Sequence, residues 1–280
     1  MMTSDFYPSP SAAHVRQLFS NPQRSCLMDY HLPESDHKAR YVRERFDQIA
    51  RHYDLFNDLI TQGQHRYWKR FLVKRMGISP GQSGADLCCG TGDISARALK
   101  AMGASGHLVG LDFSAHMLQV ARKRLPDYTA GLVTKKSPKA SHLVLQGDAM
   151  KLPIADNSLQ FVTMGYGLRN VTQLPGCLRE IYRVLAPGGV FGSLDVGKVS
   201  NPLVAPLARF YMFRVVPLIG RMIQPGEEMY TYLPHSADAF PSQKALAKTM
   251  SETGFEQVEI INFLFGASAI HLAHKPTASD

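Results

Sequence analysis

The segment Asp86-Leu87-Cys88-Cys89-Gly90-Thr91-Gly92-Asp93 ends a short apolar run, Ala85 to Cys88, and opens a helical pattern at Ile94. Gly90 and Gly92 let backbone approach a ligand with no side chain between, as the first strand-to-helix turn of a doubly wound α/β sheet requires. The alternation continues downstream. Apolar runs at Leu108 to Leu111, Leu143 to Gln146, Phe161 to Met164 and Val190 to Val196 read as strands. Ile94 to Met102, Ala115 to Arg124, Leu174 to Leu185 and Gln243 to Thr253 read as helices. Helical connections of that length predict right-handed crossovers and a mostly parallel sheet covered on both faces. The last two runs, Val258 to Phe263 and Ala269 to Ala273, are joined only by a short loop with Gly266, so one strand there should run antiparallel.

Upstream, Val42, Phe46, Ile49, Tyr53 and Phe56 recur at helical spacing and predict one amphipathic helix, followed by a second that carries Trp68, Phe71 and Leu72. Residues 1–36 are aperiodic and read as a tail with at most a short helix from His14 to Phe19; 276–280 read as a second tail. Gly131 to Ser141 reads as a loop insertion. The domain expected is therefore 37–275, with N-terminal helices over 37–76 and a lid insertion over 199–235. Within the lid, Pro202 to Ile223 is rich in apolar residues but broken by Arg209, Arg214 and Arg221, so it cannot supply a spanning helix of about 20 apolar residues. It suits an apolar cover whose arginines touch lipid headgroups; a dimer interface or a core helix pair would look nearly the same.

Composition fits a globular chain: 280 residues, 45% hydrophobic and 19% charged, exclude whole-chain disorder and a disulfide-stapled mini-protein. The four cysteines lack zinc-ligand spacing, so no metal is expected, and a reducing compartment fits them. No targeting pattern opens the chain, which points to the cytoplasm. A net charge of +8 favours an anionic partner, although part of the surplus lies in one basic stretch, Arg122 to Lys139, that reads as solvated loop. Interleaved basic and aromatic positions are missing outside the lid, so nucleic acid is not expected.

Carboxylates then recur at the ends of consecutive strands. Asp112 lies 20 residues beyond Gly92, where it can accept both ribose hydroxyls, and Asp148-Ala149 follows the third run, where a carboxylate can take an adenine amino group beside a small residue. A dinucleotide or S-adenosylmethionine would fit such a crevice. The dinucleotide needs a third glycine where Ser95 stands, and Asp93 at the helix entrance would repel a pyrophosphate but could receive the cationic amino group of a methionine moiety. The residues favour S-adenosylmethionine.

Asp86 to Asp93 resembles the first motif of class I S-adenosylmethionine methyltransferases. A wider set resembles the ubiquinone/menaquinone biosynthesis C-methyltransferases: Tyr53-Asp54 with Asn57-Asp58, His65 through Arg70, Gly147-Asp148-Ala149, Gly167-Leu168-Arg169-Asn170-Val171, and Tyr182 through Leu185 with Pro187-Gly188-Gly189. Met164-Gly165-Tyr166 and the Cys88-Cys89 pair are similar to the naphthoquinone, phylloquinone-type members; Cys88 replaces a glycine common in class I enzymes, and Val196 after Asp195 departs from a frequent phenylalanine. The resemblance spans about residues 40 to 275 and implies a Rossmann-like sheet of seven strands, S-adenosylmethionine as cofactor, and C-methylation of the ring of a prenylated quinol at a membrane surface. A demethylmenaquinol-type ring is favoured, with a benzoquinol as alternative; a small-molecule or RNA methyltransferase, or a non-catalytic binding module, is the competing reading. It implies cofactor contacts at Asp86, Gly90, Thr91, Gly92, Asp93, Asp112, Phe113, Met117, Asp148, Ala149 and Gly165, and a substrate site at Arg169, Asn170, His65 and Tyr53. Arg169 is expected to stabilise oxyanion charge, because a guanidinium is too weak a base to take the proton, which water or His65 would accept. A homodimer is an open expectation.

Overall fold

The chain is described from a computed structural model covering residues 35–130, 141–226 and 229–277. Residues 1–34 and 278–280 of the expected tails, the short helix at His14 to Phe19 and most of the loop insertion lie outside the described residues, whereas Ser35 and Asp36 already begin a helix. Seven strands form one sheet in the order β3-β2-β1-β4-β5-β7-β6. They are β1 (Ser83–Leu87), β2 (His107–Asp112), β3 (Ser141–Gln146), β4 (Leu159–Gly165), β5 (Leu185–Val196), β6 (Glu256–Phe263) and β7 (Ser268–His274). Pairings among β1 to β5 are parallel, whereas β7 lies antiparallel between β5 and β6, the reversal that the short final loop demanded. The strand order reverses between β1 and β4, so a crevice must open at their carboxyl ends.

Among the described residues three helices precede the sheet: α1 (Ser35–Ile49), α2 (Tyr53–Thr61) and α3 (Gln64–Arg75). The expected single helix through Phe56 is therefore two, because the chain turns at Ala50 to His52, where the His52 N–H donates to the Ile49 carbonyl at 2.9 Å. The apolar spacing survives the break since Val42, Ile49 and Phe56 are all buried. The crossover helices are α4 (Asp93–Met102), α5 (Ala115–Ala130) and α6 (Leu174–Val184). Between β5 and β6 the chain adds α7 (Ala205–Phe210), a wider π turn (Tyr211–Val215), α8 (Val216–Ile223), α9 (Met229–Ala239) and α10 (Gln243–Thr253).

Two apolar clusters fill the two faces of the sheet. One holds Trp68, Leu72, Leu99, Met102 and Phe161; the other holds Leu87, Val162, Met164, Ile181 and Phe255. Period-2 alternation assigns them: Leu87 and Met164 enter the second cluster, while Asp86 and Thr163, register partners on β1 and β4, face the other way. No helix among the described residues is long and apolar enough to cross a membrane.

Candidate active site

The turn after β1 is left-handed at three residues, Cys88 (φ 52°), Gly90 (φ 54°) and Gly92 (φ 80°). Cys88 thus holds a conformation that glycine adopts more readily, which is the physical content of its departure from the class I pattern. Asp112, at the end of β2, fixes the loop: its carboxylate accepts from the Gly90 N–H and the Ser114 N–H, both at 2.9 Å. Burial pushes its pKa up to about 6 against those donors. Burial likewise raises the Cys88 and Cys89 thiols well above their usual range.

At the switch point a crevice of about 740 Å³, counting space open to solvent, is lined by Tyr53, Gly90, Asp112, Phe113, Met117, Asp148, Ala149, Gly165 and Asn170 among the residues expected in the site. A Cβ on Gly165 would stand 2.4 Å from Ile94 Cδ1, so glycine lets the end of β4 pack closely on α4. Two strand-end carboxylates, glycine-lined backbone and apolar Phe113 and Met117 fit a nucleoside that carries a short cationic chain. Among the described residues no group of three potential ligands could hold a metal ion.

Four expected cofactor residues do not line this crevice. Asp86 lies inside the sheet and accepts from the hydroxyls of Ser95 (2.5 Å) and Thr163 (2.7 Å); burial lifts its pKa to about 6. The Thr91 hydroxyl donates to Asp54 Oδ1 at 2.9 Å and accepts from Arg124 at 3.1 Å, and Arg124 also pairs with Asp54. Gly92 caps α4 against Ala121. Asp93 is matched by Lys69 at 3.0 Å and Arg97 at 2.9 Å; burial raises its pKa, but these cations outweigh burial and hold it below the usual range. Its charge thus pins α3 to the glycine loop. These residues are missing because the sequence marks which turn meets the ligand, not which side chains point back into the protein.

A larger cavity of about 2030 Å³, open to solvent, adjoins the crevice. Arg169 and Tyr166 line it, and Tyr166 lines the crevice as well. Arg169 lies on a 3₁₀ turn (Leu168–Asn170) after β4, and its Nη1 donates to Asp195 Oδ1 at 2.6 Å with both side chains buried. Burial opposes its charge, yet Asp195 and the Tyr53 phenol hold its pKa above the ordinary arginine value. The Asn170 Nδ2 donates to the Tyr166 carbonyl at 3.1 Å and its Oδ1 accepts from the Tyr232 hydroxyl at 3.0 Å. Tyr53 faces the crevice, its pKa pushed up to about 12 by burial. His65 lines neither cavity, its Nε2 lies 2.8 Å from Asp58, and burial lowers its pKa, so a base role has no geometric support. Asp195, Tyr166 and Tyr232 were not among the expected site residues. A carboxylate at the end of β5 could have been found by the rule that singled out Asp112, whereas Tyr232 comes from a distant helix.

The family model described as "ubiE/COQ5 methyltransferase family" matches residues 34–275. The "Demethylmenaquinone methyltransferase" of Leptospira interrogans is 41% identical over 255 residues, 90% of this chain and 99% of that protein. The "Ubiquinone/menaquinone biosynthesis C-methyltransferase UbiE" of Ectopseudomonas mendocina is 39% identical, covering 88% of this chain and 92% of that protein. A solved S-adenosylmethionine-dependent methyltransferase of Thermotoga maritima, titled a possible histamine N-methyltransferase, superposes with a TM-score of 0.57 at 18% identity, over 83% of this chain and 99% of that one, and carries the fold. With this fold, this crevice and these relatives, the chain belongs to the ubiE/COQ5 methyltransferase family and is an S-adenosylmethionine-dependent methyltransferase.

Proposed function

We propose that the chain methylates a ring carbon of a prenylated naphthoquinol of the demethylmenaquinol type, working at a membrane surface. One observation carries the reading. An apolar cavity large enough for a ring and part of a tail meets the cofactor crevice at a wall that bears Tyr166 and Arg169. The names of the relatives add the ring chemistry.

S-adenosylmethionine supplies a methyl group on a sulfonium that is its own leaving group. Asp112 would accept the ribose hydroxyls, and Asp148 would take the adenine amino group beside Ala149. The protein must then align the ring carbon and exclude water. Ionisation of a ring hydroxyl makes the neighbouring carbon nucleophilic, and Arg169, held by Asp195 at 2.6 Å, stabilises the oxyanion as it develops. Water is left as acceptor of the ring protons, since His65 is engaged elsewhere. Leu207, Phe210, Leu264 and Phe265 both line the large cavity and lie exposed, so they form its mouth, which suits a tail that stays in the lipid while the ring enters.

The test is incubation with methyl-labelled S-adenosylmethionine and short-tailed demethylated quinols under reducing conditions. Ring-carbon label on the naphthoquinol is expected, at a higher kcat/KM than on a benzoquinol. No labelling of either quinol, with cofactor bound normally, would sink the reading.

A further inference from the structure

α1 borders the cofactor crevice and is fastened near both ends. Ala39 and Phe46, between the two ties, line the crevice. Towards its carboxyl end, Asp47 accepts from the Ser114 hydroxyl at 2.5 Å and from the His116 N–H at 3.3 Å, on the loop that follows Asp112. Towards its amino end, Lys38 Nζ donates to the Val171 carbonyl at 2.9 Å and to the Arg169 carbonyl at 3.3 Å. Those carbonyls flank Asn170 at the carboxyl end of the 3₁₀ turn, where helix-end dipoles favour a cation. Burial lowers the Lys38 pKa, as it does for an ammonium drawn partly out of water. The turn borders both sites, since Asn170 and Val171 line the crevice and Arg169 lines the larger cavity. Apolar anchoring of α1 is thin: among its described residues only Val42 and Ile49 are buried. An element with few buried contacts opens at low cost.

We propose that Lys38 is a positioning residue: while α1 lies against bound cofactor, its ammonium holds the turn on which Arg169 sits, so that an occupied crevice prepares the acceptor site. Cofactor that touches Ala39 and Phe46 favours the docked position of α1, and docked α1 brings Lys38 to the turn. The two sites are thereby coupled through one element with two positions. The acceptor half of this inference rests on the larger cavity being the quinol site, and the cofactor half does not.

The first measurement needs no quinol. Hydrogen exchange is followed with and without S-adenosylhomocysteine, the cofactor after loss of its methyl group. In wild type this ligand should slow exchange about 10-fold or more both in α1 and over residues 166–173. Lys38→Met should keep the protection of α1, lose most of that over 166–173, and bind S-adenosylhomocysteine within about threefold of wild type. Lys38→Arg keeps a charged donor and should restore the protection. Protection of 166–173 that survives in Lys38→Met overturns the proposal, because the cofactor would then order the turn directly through Asn170 and Val171. So does its absence from wild type, or a Lys38→Met variant that no longer binds S-adenosylhomocysteine, since Lys38 would then serve the fold.

The second measurement reads the acceptor. Trp68 is the sole tryptophan and lines the larger cavity, so its fluorescence reports occupancy without turnover. A short-tailed prenylated 1,4-naphthoquinol under reductant is titrated with and without S-adenosylhomocysteine. That ligand should tighten the quinol about 5- to 10-fold in wild type and less than about twofold in Lys38→Met. A gain equal in both proteins, or absent from a wild type that binds the quinol, overturns the coupling. No quinol binding by wild type would end the naphthoquinol reading, while the exchange measurement still decides Lys38.

Discussion

In the proposed reaction, two buried charged groups divide the chemistry between cofactor and acceptor. Asp112 is 6% exposed and its pKa is raised to about 6 by burial. If the ionised carboxylate accepts the ribose hydroxyls, cofactor affinity should rise with pH up to about 6 and level off above it, falling at most about tenfold per unit below. Stability carries the opposite sign: the folded protein holds this proton between the unfolded value near 3.9 and about 6, so this group's contribution declines as pH rises through that window. Calorimetric titration from pH 5 to 8 should show that rise in wild type and a flat, weaker profile in Asp112→Asn; identical profiles would remove Asp112 from cofactor binding. Arg169 differs, because it lines the larger cavity and is fixed by Asp195. Arg169→Lys keeps a charge but loses the planar fork, so kcat should fall by about 100-fold or more while cofactor affinity holds. Normal turnover by that variant would make the pair structural.

At the scale of elements, the N-terminal helices are tied to the glycine loop by charge and not only by apolar packing. Asp54 on α2 reaches Thr91 and Arg124, and Lys69 on α3 reaches Asp93. Motif residues that sequence reading gives to the ligand thus hold the N-terminal helices against the loop. The segment from α7 to α8 buries only Val216 and Gly220, and leaves Leu207, Phe210, Leu218 and Met222 exposed. Its three arginines are not equivalent. All three are exposed, but Arg209 lies 3.4 Å from Asp238 and packs on Phe213. Arginines near an anionic surface contribute about 1 kcal/mol each. Arg214→Gln with Arg221→Gln should therefore weaken binding to anionic vesicles about 30-fold at low salt, with Arg209→Gln adding less, while activity on a short-tailed quinol survives. Flotation that is equal for wild type and the double variant would remove the lipid role from this segment.

For the molecule as a whole, the crevice and the larger cavity meet at one wall, and the chemistry proposed there needs a ring hydroxyl to ionise. The reduced quinol should be methylated and the oxidised quinone should not, in an assay run with and without reductant on one preparation; equal rates would show that no oxyanion forms. The sequence by itself determined the sheet. Apolar runs alternating with helices, and a final loop too short for a parallel crossover, dictate seven strands with one reversed, because hydrogen-bond geometry leaves few ways to connect them. It also marked Gly90, Asp112, Asp148 and Gly165 at strand ends, which the topology must bring to one crevice. Periodicity could not see the turn at Ala50 to His52, because α1 and α2 bury residues that keep the spacing of one helix. Nor could a motif tell that Asp93 and Thr91 point back to the helices, that His65 is taken by Asp58, or that Asp195 and Tyr232 complete the site around Arg169 and Asn170. Chain position fixes which backbone turn meets the ligand. The direction of each side chain, and therefore its partner, was decided by tertiary packing, because those partners come from elements tens of residues apart that only the folded core brings within hydrogen-bond reach.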